Sequence, residues 1–224
     1  MVLEQPGAPG APGTVEVYRT MDRCQVLGPG IRSVIWVQGC PLRCAGCIAP
    51  ETLPVHQGRT STIEELAAWL CSVTGTEGVT LSGGEPFAQP AALAAVLDRV
   101  RAVRPDYSAV AYSGFRHEAL LRAGAGARAL LSRVDLLIDG PFQAARQADL
   151  RWRGSANQRL IPLTERYREV LLLPDHGAGI EVELDPDGSL SWAGVPDQAG
   201  FRQRFEAGLA DQGYVLTPES SRSS

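Results

Sequence analysis

An alternation limits the fold of this chain more than any other feature of its sequence. Short runs rich in β-branched and aromatic residues are separated by segments with helical period. Val15 to Arg19, Ser33 to Gln38 (SVIWVQ), Gly78 to Leu81, Tyr107 to Tyr112 and Val134 to Ile138 read as strands. Thr62 to Val73 opens with a capping box, Thr62 and Glu65, and sets Ile63, Leu66, Leu70 and Val73 at helical spacing. Pro90 to Val103 and His117 to Arg133 read as helices, the second interrupted near Gly124 and Gly126. Strand–helix–strand units return the chain parallel to itself, so the expectation is α/β with a parallel sheet. The 224 residues are too few for a closed eight-unit barrel of roughly 250 residues. An open sheet or partial barrel of about five or six units fits, with its site at the carboxyl ends of the strands. Glu169 to Leu173 reads as a further strand. Ile180 to Leu184 and Ser189 to Ala193 flank a hairpin signal, Asp185-Pro-Asp-Gly188, and Phe201 to Gln212 closes as a helix. Residues 1–14 read as a flexible leader and 217–224 as a polar tail around a single domain, 15–216.

Composition excludes several classes. The net charge is −4 and no block of like charge occurs, so electrostatic binding to nucleic acid or an anionic membrane is not expected. No apolar run approaches the roughly 18 residues of a membrane span. All 21 basic residues are arginine, which removes Schiff-base catalysis and the Walker lysine. The five cysteines are odd in number, and three fall between positions 40 and 47. The N-terminus lacks the basic and apolar regions of a signal peptide. A reducing, cytoplasmic setting with free thiols is therefore expected.

Two motifs carry chemistry, each placed just after a strand. Gly39-Cys-Pro-Leu-Arg-Cys-Ala-Gly-Cys47 follows SVIWVQ with the spacing C-x3-C-x2-C. Three thiolates on one short loop can ligate three irons of a cubane cluster and leave the fourth open to another ligand. Structural zinc, with His56 as a fourth ligand, is the alternative, and a disulfide is a third reading. Cys24 and Cys71 read as inert, Cys71 as a small hydrophobe on its helix. The second motif, Leu81-Ser-Gly-Gly-Glu-Pro86, follows the Gly78 strand. Paired glycines there expose backbone and admit a ligand closely, and Glu85 adds a carboxylate able to hold an ammonium. The turn lacks the GxGxxG and GxxxxGK patterns of phosphate binding.

Together the two motifs resemble the radical SAM enzymes. Gly28-Pro-Gly-Ile-Arg32, Tyr112-Ser-Gly-Phe115, Asp135-Leu-Leu-Ile-Asp-Gly-Pro-Phe142 and Trp152-Arg-Gly-Ser-Ala-Asn-Gln-Arg159 narrow the resemblance to the glycyl-radical-enzyme activases. Within that branch they look like the group that activates anaerobic ribonucleotide reductase. The resemblance implies a partial, open parallel β/α barrel, here with a C-terminal β-hairpin and helix. It implies that Cys40, Cys44 and Cys47 hold a [4Fe-4S] cluster. The open iron would bind the amino and carboxylate groups of S-adenosylmethionine (SAM). Ser82, Gly83, Gly84, Glu85 and Pro86 would contact its methionine end, and bulk at Gly83 or Gly84 should cost SAM affinity while sparing the cluster. Tyr112, Ser113, Asp139, Arg153 and Asn157 are further candidate contacts, with Gln158 and Arg159 in the same polar stretch. A helix cap or turn is the other role open to Asp139. The implied reaction is one-electron cleavage of SAM, then hydrogen abstraction from a backbone glycine of a glycyl radical enzyme. A flavodoxin or ferredoxin would supply the electron. A peptide or small molecule is the alternative substrate, and a non-catalytic zinc or iron–sulfur module the alternative of another class. No catalytic residue beyond the cluster and SAM site is implied.

Overall fold

A computed structural model describes residues 12–177, 179–184, 190–198 and 200–214. Its elements in chain order are β1 (Thr14–Cys24), β2 (Arg32–Val37), β3 (Arg59–Thr62), α1 (Ile63–Ser72), β4 (Gly78–Gly83), α2 (Pro90–Val103), β5 (Ser108–Ser113), α3 (His117–Arg122), α4 (Ala125–Leu131), β6 (Leu136–Asp139), β7 (Gln147–Leu150), β8 (Arg153–Ser155), β9 (Arg159–Pro162), β10 (Ile180–Leu184), β11 (Leu190–Gly194) and α5 (Phe201–Asp211). The main sheet has the order β3-β1-β2-β4-β5-β6-β9. Its centre, β2-β4-β5-β6, is parallel. The edges are antiparallel: β1 and β3 on one side, β9 on the other. The chain is therefore mixed α/β with a parallel central sheet.

Local chemistry explains most boundaries. All six residues of β2 are buried, as a central strand covered on both faces requires. The Thr62–Glu65 capping box is present at the start of α1. Gly124, at φ +112°, breaks the helical stretch into α3 and α4. The link from β1 to β2 spans only residues 25–31, too short for the crossover a parallel pair needs, so β1 pairs antiparallel. The expected strand at Glu169 to Leu173 is instead part of a 3-10 segment, Glu165–Leu172. Its buried residues, Tyr167 and Val170, lie three apart, which suits that turn and not a strand. Strand structure also appears where none is expected: β7 and β8 pair in a short hairpin and β9 joins the main sheet. The leader over residues 1–11, the tail and the hairpin turn 185–189 lie outside the described residues.

The period of two along the strands divides the sheet into two faces. Ile35, Val37, Val79, Leu81, Ala109, Ala111 and Leu137 pack with α1, α2 and α4 in the larger core. Val34 and Trp36 face the other way, with Met21, Cys24, Leu27 and Ala193. Val110, Leu136 and Ile138 share that second face with Trp152, Tyr167 and Val170. The helices thus cover one face. The other is covered at its edges by later, shorter elements, and a cavity of about 320 Å³ lies among them. Arg32 is wholly buried and fixes the amino ends of the parallel strands. Its guanidinium donates to Thr80 Oγ1, the Val79 and Ser108 carbonyls, Ser108 Oγ and Tyr167 Oη.

Candidate functional site

The cysteine loop leaves β2 and is closed at its base by a polar frame. Gly39 N donates to Thr52 O (2.8 Å) and Cys40 N to Leu53 O (3.1 Å). The Gln38 amide donates to Glu51 O and Pro54 O at 2.9 and 2.6 Å. Buried Thr52 donates to Ala49 O at 2.7 Å. Inside the loop the chain reverses twice, at Arg43 (φ +47°) and Gly46 (φ +74°). The second reversal suits glycine, which bears the left-handed conformation without strain. Both bends bring Cys40, Cys44 and Cys47 onto one wall of the cavity. All three thiols are free and half-buried. Burial pushes Cys40 up to about 11 and raises Cys47 as well, so each keeps its proton unless a metal replaces it. Among the described residues, no three His, Cys, Asp or Glu side chains converge as ligands of a single ion do. Thiolates that each bind a different iron of a cubane have no need to converge.

The glycine turn forms the adjoining wall, with Ser82, Gly83, Gly84 and Glu85 lining the cavity. Gly84 N donates to Val37 O (2.8 Å) and Glu85 N to Gly39 O (2.9 Å), so turn and cysteine loop are stitched by their backbones. That closeness demands glycine. A Cβ on Gly84 would stand 2.3 Å from Gly39 O and 2.9 Å from Thr52 O, and one on Gly83 would stand 2.6 Å from Val37 N. The glycines thus serve the approach of two backbones as well as any ligand. Bulk at Gly84 presses on the cysteine loop, so the expectation that it would spare the cluster is revised. Glu85 is fully buried and accepts from Phe87 N, Ser113 Oγ and Gly114 N at 2.9, 3.0 and 2.9 Å. Burial pushes its carboxyl up to about 7, against those hydrogen bonds.

The remaining expected residues divide. Tyr112 and Ser113 line the cavity, and the buried Tyr112 hydroxyl has no hydrogen-bond partner among the described residues. Pro86, Asp139, Arg153 and Asn157 do not line it. Asp139 stands two residues after Leu137, on the helix-facing side of β6. There it accepts from His117 N at the start of α3 (2.7 Å) and from Arg159 Nε (2.9 Å). Of the two roles open to Asp139, the structure shows the helix cap. Arg153 is ion-paired with Asp175 and donates to Gln158 O. Asn157 donates to Pro141 O at 2.7 Å. Gln158 does reach the cavity and ties β8 to β6, accepting from Gly154 N (2.8 Å) and donating to Gly140 O (3.0 Å). His56 is exposed and away from the cavity. Cys24 is buried on the second face and pushed up to about 12 by burial. Cys71 is half-buried against the larger core.

Sequence reasoning missed three parts of the site. Gln38 and Thr52 brace the cysteine loop, but a lone Gln or Thr carries no signal of that in a sequence. Trp36 and Phe142 line the cavity, and Trp36 reads as plain core because its strand is apolar. Residues 194–196, 198 and 200–203, far along the chain, add a further wall.

The model of the 4Fe-4S single cluster domain family matches residues 26–161. The chain belongs to this family. The match takes in both motifs and every strand of the parallel centre. Three relatives are each called an anaerobic ribonucleoside-triphosphate reductase-activating protein. That of Vibrio cholerae is 37% identical over 142 residues, 59% of this chain and 88% of the relative. That of Enterobacteria phage T4 is 32% identical over 145 residues, 62% and 89%. That of Pasteurella multocida is 33% identical over 148 residues, 62% and 92%. The family span ends before β10, so β10, β11 and α5 lie beyond it. Among the described residues, no helix is long and apolar enough to cross a membrane.

Proposed function

We propose that the chain is a radical SAM activase of a glycyl radical enzyme, of the anaerobic ribonucleotide reductase type. One observation carries this reading: the three cysteines and the Ser82–Glu85 turn line a single cavity at the carboxyl ends of the parallel strands. The residues suit the groups the reading needs. Three free thiols on one loop are a donor set for three irons of a cubane. The unpartnered Tyr112 hydroxyl and the Glu85 carboxyl are buried polar groups in a cavity otherwise rich in apolar side chains. Cys40, Cys44 and Cys47 would hold a [4Fe-4S] cluster, and Ser82, Gly83, Gly84, Glu85, Tyr112 and Ser113 the SAM beside it. When bound, cluster and SAM supply a one-electron cleavage and a radical that abstracts hydrogen.

The chain's own residues bind, orient and exclude water. Glu85 would accept a hydrogen bond from an ammonium group at its carboxylate, and Tyr112 would donate one from its hydroxyl. Trp36 and Phe142 give apolar surface that keeps water from the reacting atoms. Pro86, Asp139, Arg153 and Asn157 act behind this wall by holding the turn, α3 and the β7–β8 hairpin in place. The sheet is then the open, partial barrel of the radical SAM type, within one domain over residues 15–216. A protein loop bearing the target glycine is the substrate. A flavodoxin- or ferredoxin-like donor and a reducing cytoplasm complete the setting. The test is anaerobic incubation of the iron-reconstituted protein with SAM and dithionite. Production of 5′-deoxyadenosine is expected, with a glycyl radical signal when the partner reductase is added. No 5′-deoxyadenosine from protein with a full cluster would overturn the reading.

A further inference from the structure

Beyond the family span, β10 and β11 pair antiparallel and dock on the second face of the sheet. Arg19 Nη2 donates to Trp192 O (2.6 Å), Gln25 N to Glu181 Oε2 (2.8 Å), and Ala193 is buried against Trp36 and Met21. From Gly194 the chain continues along the cavity, where Gln147 donates to Pro196 O at 3.2 Å. It then enters α5. That helix is seated by an aromatic cluster: Trp192 lies edge-on to Phe201 at 5.7 Å, and Phe201 stacks on Phe205 at 5.5 Å. The seat aims one side chain of α5 back at the cysteine loop. Arg202 donates to Ile48 O, next to Cys47, at 3.1 Å. It pairs with both carboxylate oxygens of Glu51, the Oε2 contact at 2.9 Å, and Glu206 braces it from its own helix at 2.6 Å. The site is three-quarters shielded from water, with Arg202 and Glu51 side chains 24% and 26% exposed. Burial of Glu51 opposes its charge, but the hydrogen bonds from Arg202 prevail and hold its carboxyl below the usual range.

Three contacts therefore meet where the chain leaves the third cysteine, all made by one residue 155 positions after Cys47. A planar guanidinium fork holds both oxygens of a carboxylate and a nearby carbonyl in one fixed geometry, which a lysine's single ammonium on a flexible stem does not impose. We propose that Arg202 is a positioning residue of the cluster site: it clamps Ile48–Glu51, fixes the exit of the cysteine loop, and makes α5 a working wall of the cavity. This rests on the reading of the cysteine loop as the cluster site.

Two measurements on the full chain test it. The first is iron loss to a chelator from anaerobically reconstituted protein. The second is tryptic cleavage after Arg43, an exposed residue inside the loop, in protein without iron. Arg202→Gln should speed both by about five- to tenfold, as expected for losing charged hydrogen bonds at a partly shielded site. The melting temperature should move by no more than a few degrees. Arg202→Lys should recover the Glu51 pairing and part of the protection. Glu51→Gln, which leaves α5 intact, should loosen the loop as well. Unchanged cleavage and iron loss in Arg202→Gln and Glu51→Gln would overturn the proposal. So would faster loss accompanied by general unfolding in both variants. If wild-type protein takes up no cluster, the functional reading fails, and the protease arm still decides what Arg202 does.

Discussion

Asp139 shows how a single side chain's role follows from its place in a strand. A carboxylate after an apolar strand, at the carboxyl end of a parallel sheet, suits a ligand contact as readily as a helix cap. The period of two turns it toward the helices, where it is fully buried between the start of α3 and Arg159. Burial opposes its charge, yet the Arg159 and His117 hydrogen bonds hold its carboxyl below the ordinary 3.8. Its folded-state value is thus lower than its unfolded one. Its contribution is complete well above pH 3.8 and is lost as the pH falls through the depressed value. Asp139→Asn should destabilise the protein by about 1.5 kcal/mol near neutral pH, at the low end for charged hydrogen bonds because Arg159 is half-exposed. Chemical denaturation at a series of pH values checks this. The gap between variant and wild type should close below pH 3.8, and a gap that widened there would refute the assignment.

Where β4 ends, the decisive quantity is the space between two backbones. Gly83 and Gly84 read in the sequence as room for a ligand, and the cavity does reach them. The structure adds a second cause, because the turn passes the Gly39 and Val37 backbones too closely for any Cβ. Gly84→Ala should lower the stability of the iron-free protein by about 1–3 kcal/mol, a fall of roughly 2–12 °C in melting temperature for a chain this size. An unchanged melting temperature with lost SAM binding would restore the simpler, ligand-only account. The same limit governs what could be read of the other elements. The capping box of α1, the proline start of α2 and the C-x3-C-x2-C loop are local signals, legible because neighbours in sequence create them. The pairing of β1 with β3 and the ion pairs of Arg153 and Asp139 depend on partners twenty or more residues away, which no local pattern records. The β7–β8 hairpin is local, but its turn sets Trp152 at φ +55°, where a Gly or Asn would have signalled it. The strand expected over Glu169 to Leu173 fails for a different reason: the apolar run Leu171 to Leu173 is largely exposed, so hydrophobicity there does not mark a buried strand.

Across the whole molecule, the sheet supplies two faces with different duties. The helix-covered face holds the larger core and carries stability. The opposite face leaves a cavity at the carboxyl ends of β2, β4 and β5, walled by the cysteine loop, the glycine turn and the stretch leading into α5. The parallel centre and both motifs were legible in the sequence. The last wall was not, since it is brought in by elements far along the chain, beyond the family span, where Arg202 holds the loop's exit. On the proposed function, Cys40, Cys44 and Cys47 alone hold a cluster whose open iron takes SAM. Electron paramagnetic resonance of the reduced, reconstituted protein, recorded with and without SAM, tests it most directly in wild type and single cysteine variants. Wild type, Cys24→Ala and Cys71→Ala should each show a [4Fe-4S]+ signal that changes when SAM is added, while Cys40→Ala, Cys44→Ala and Cys47→Ala should not. A SAM-insensitive signal in wild type, or a Cys71→Ala variant as empty of iron as Cys44→Ala, would contradict it.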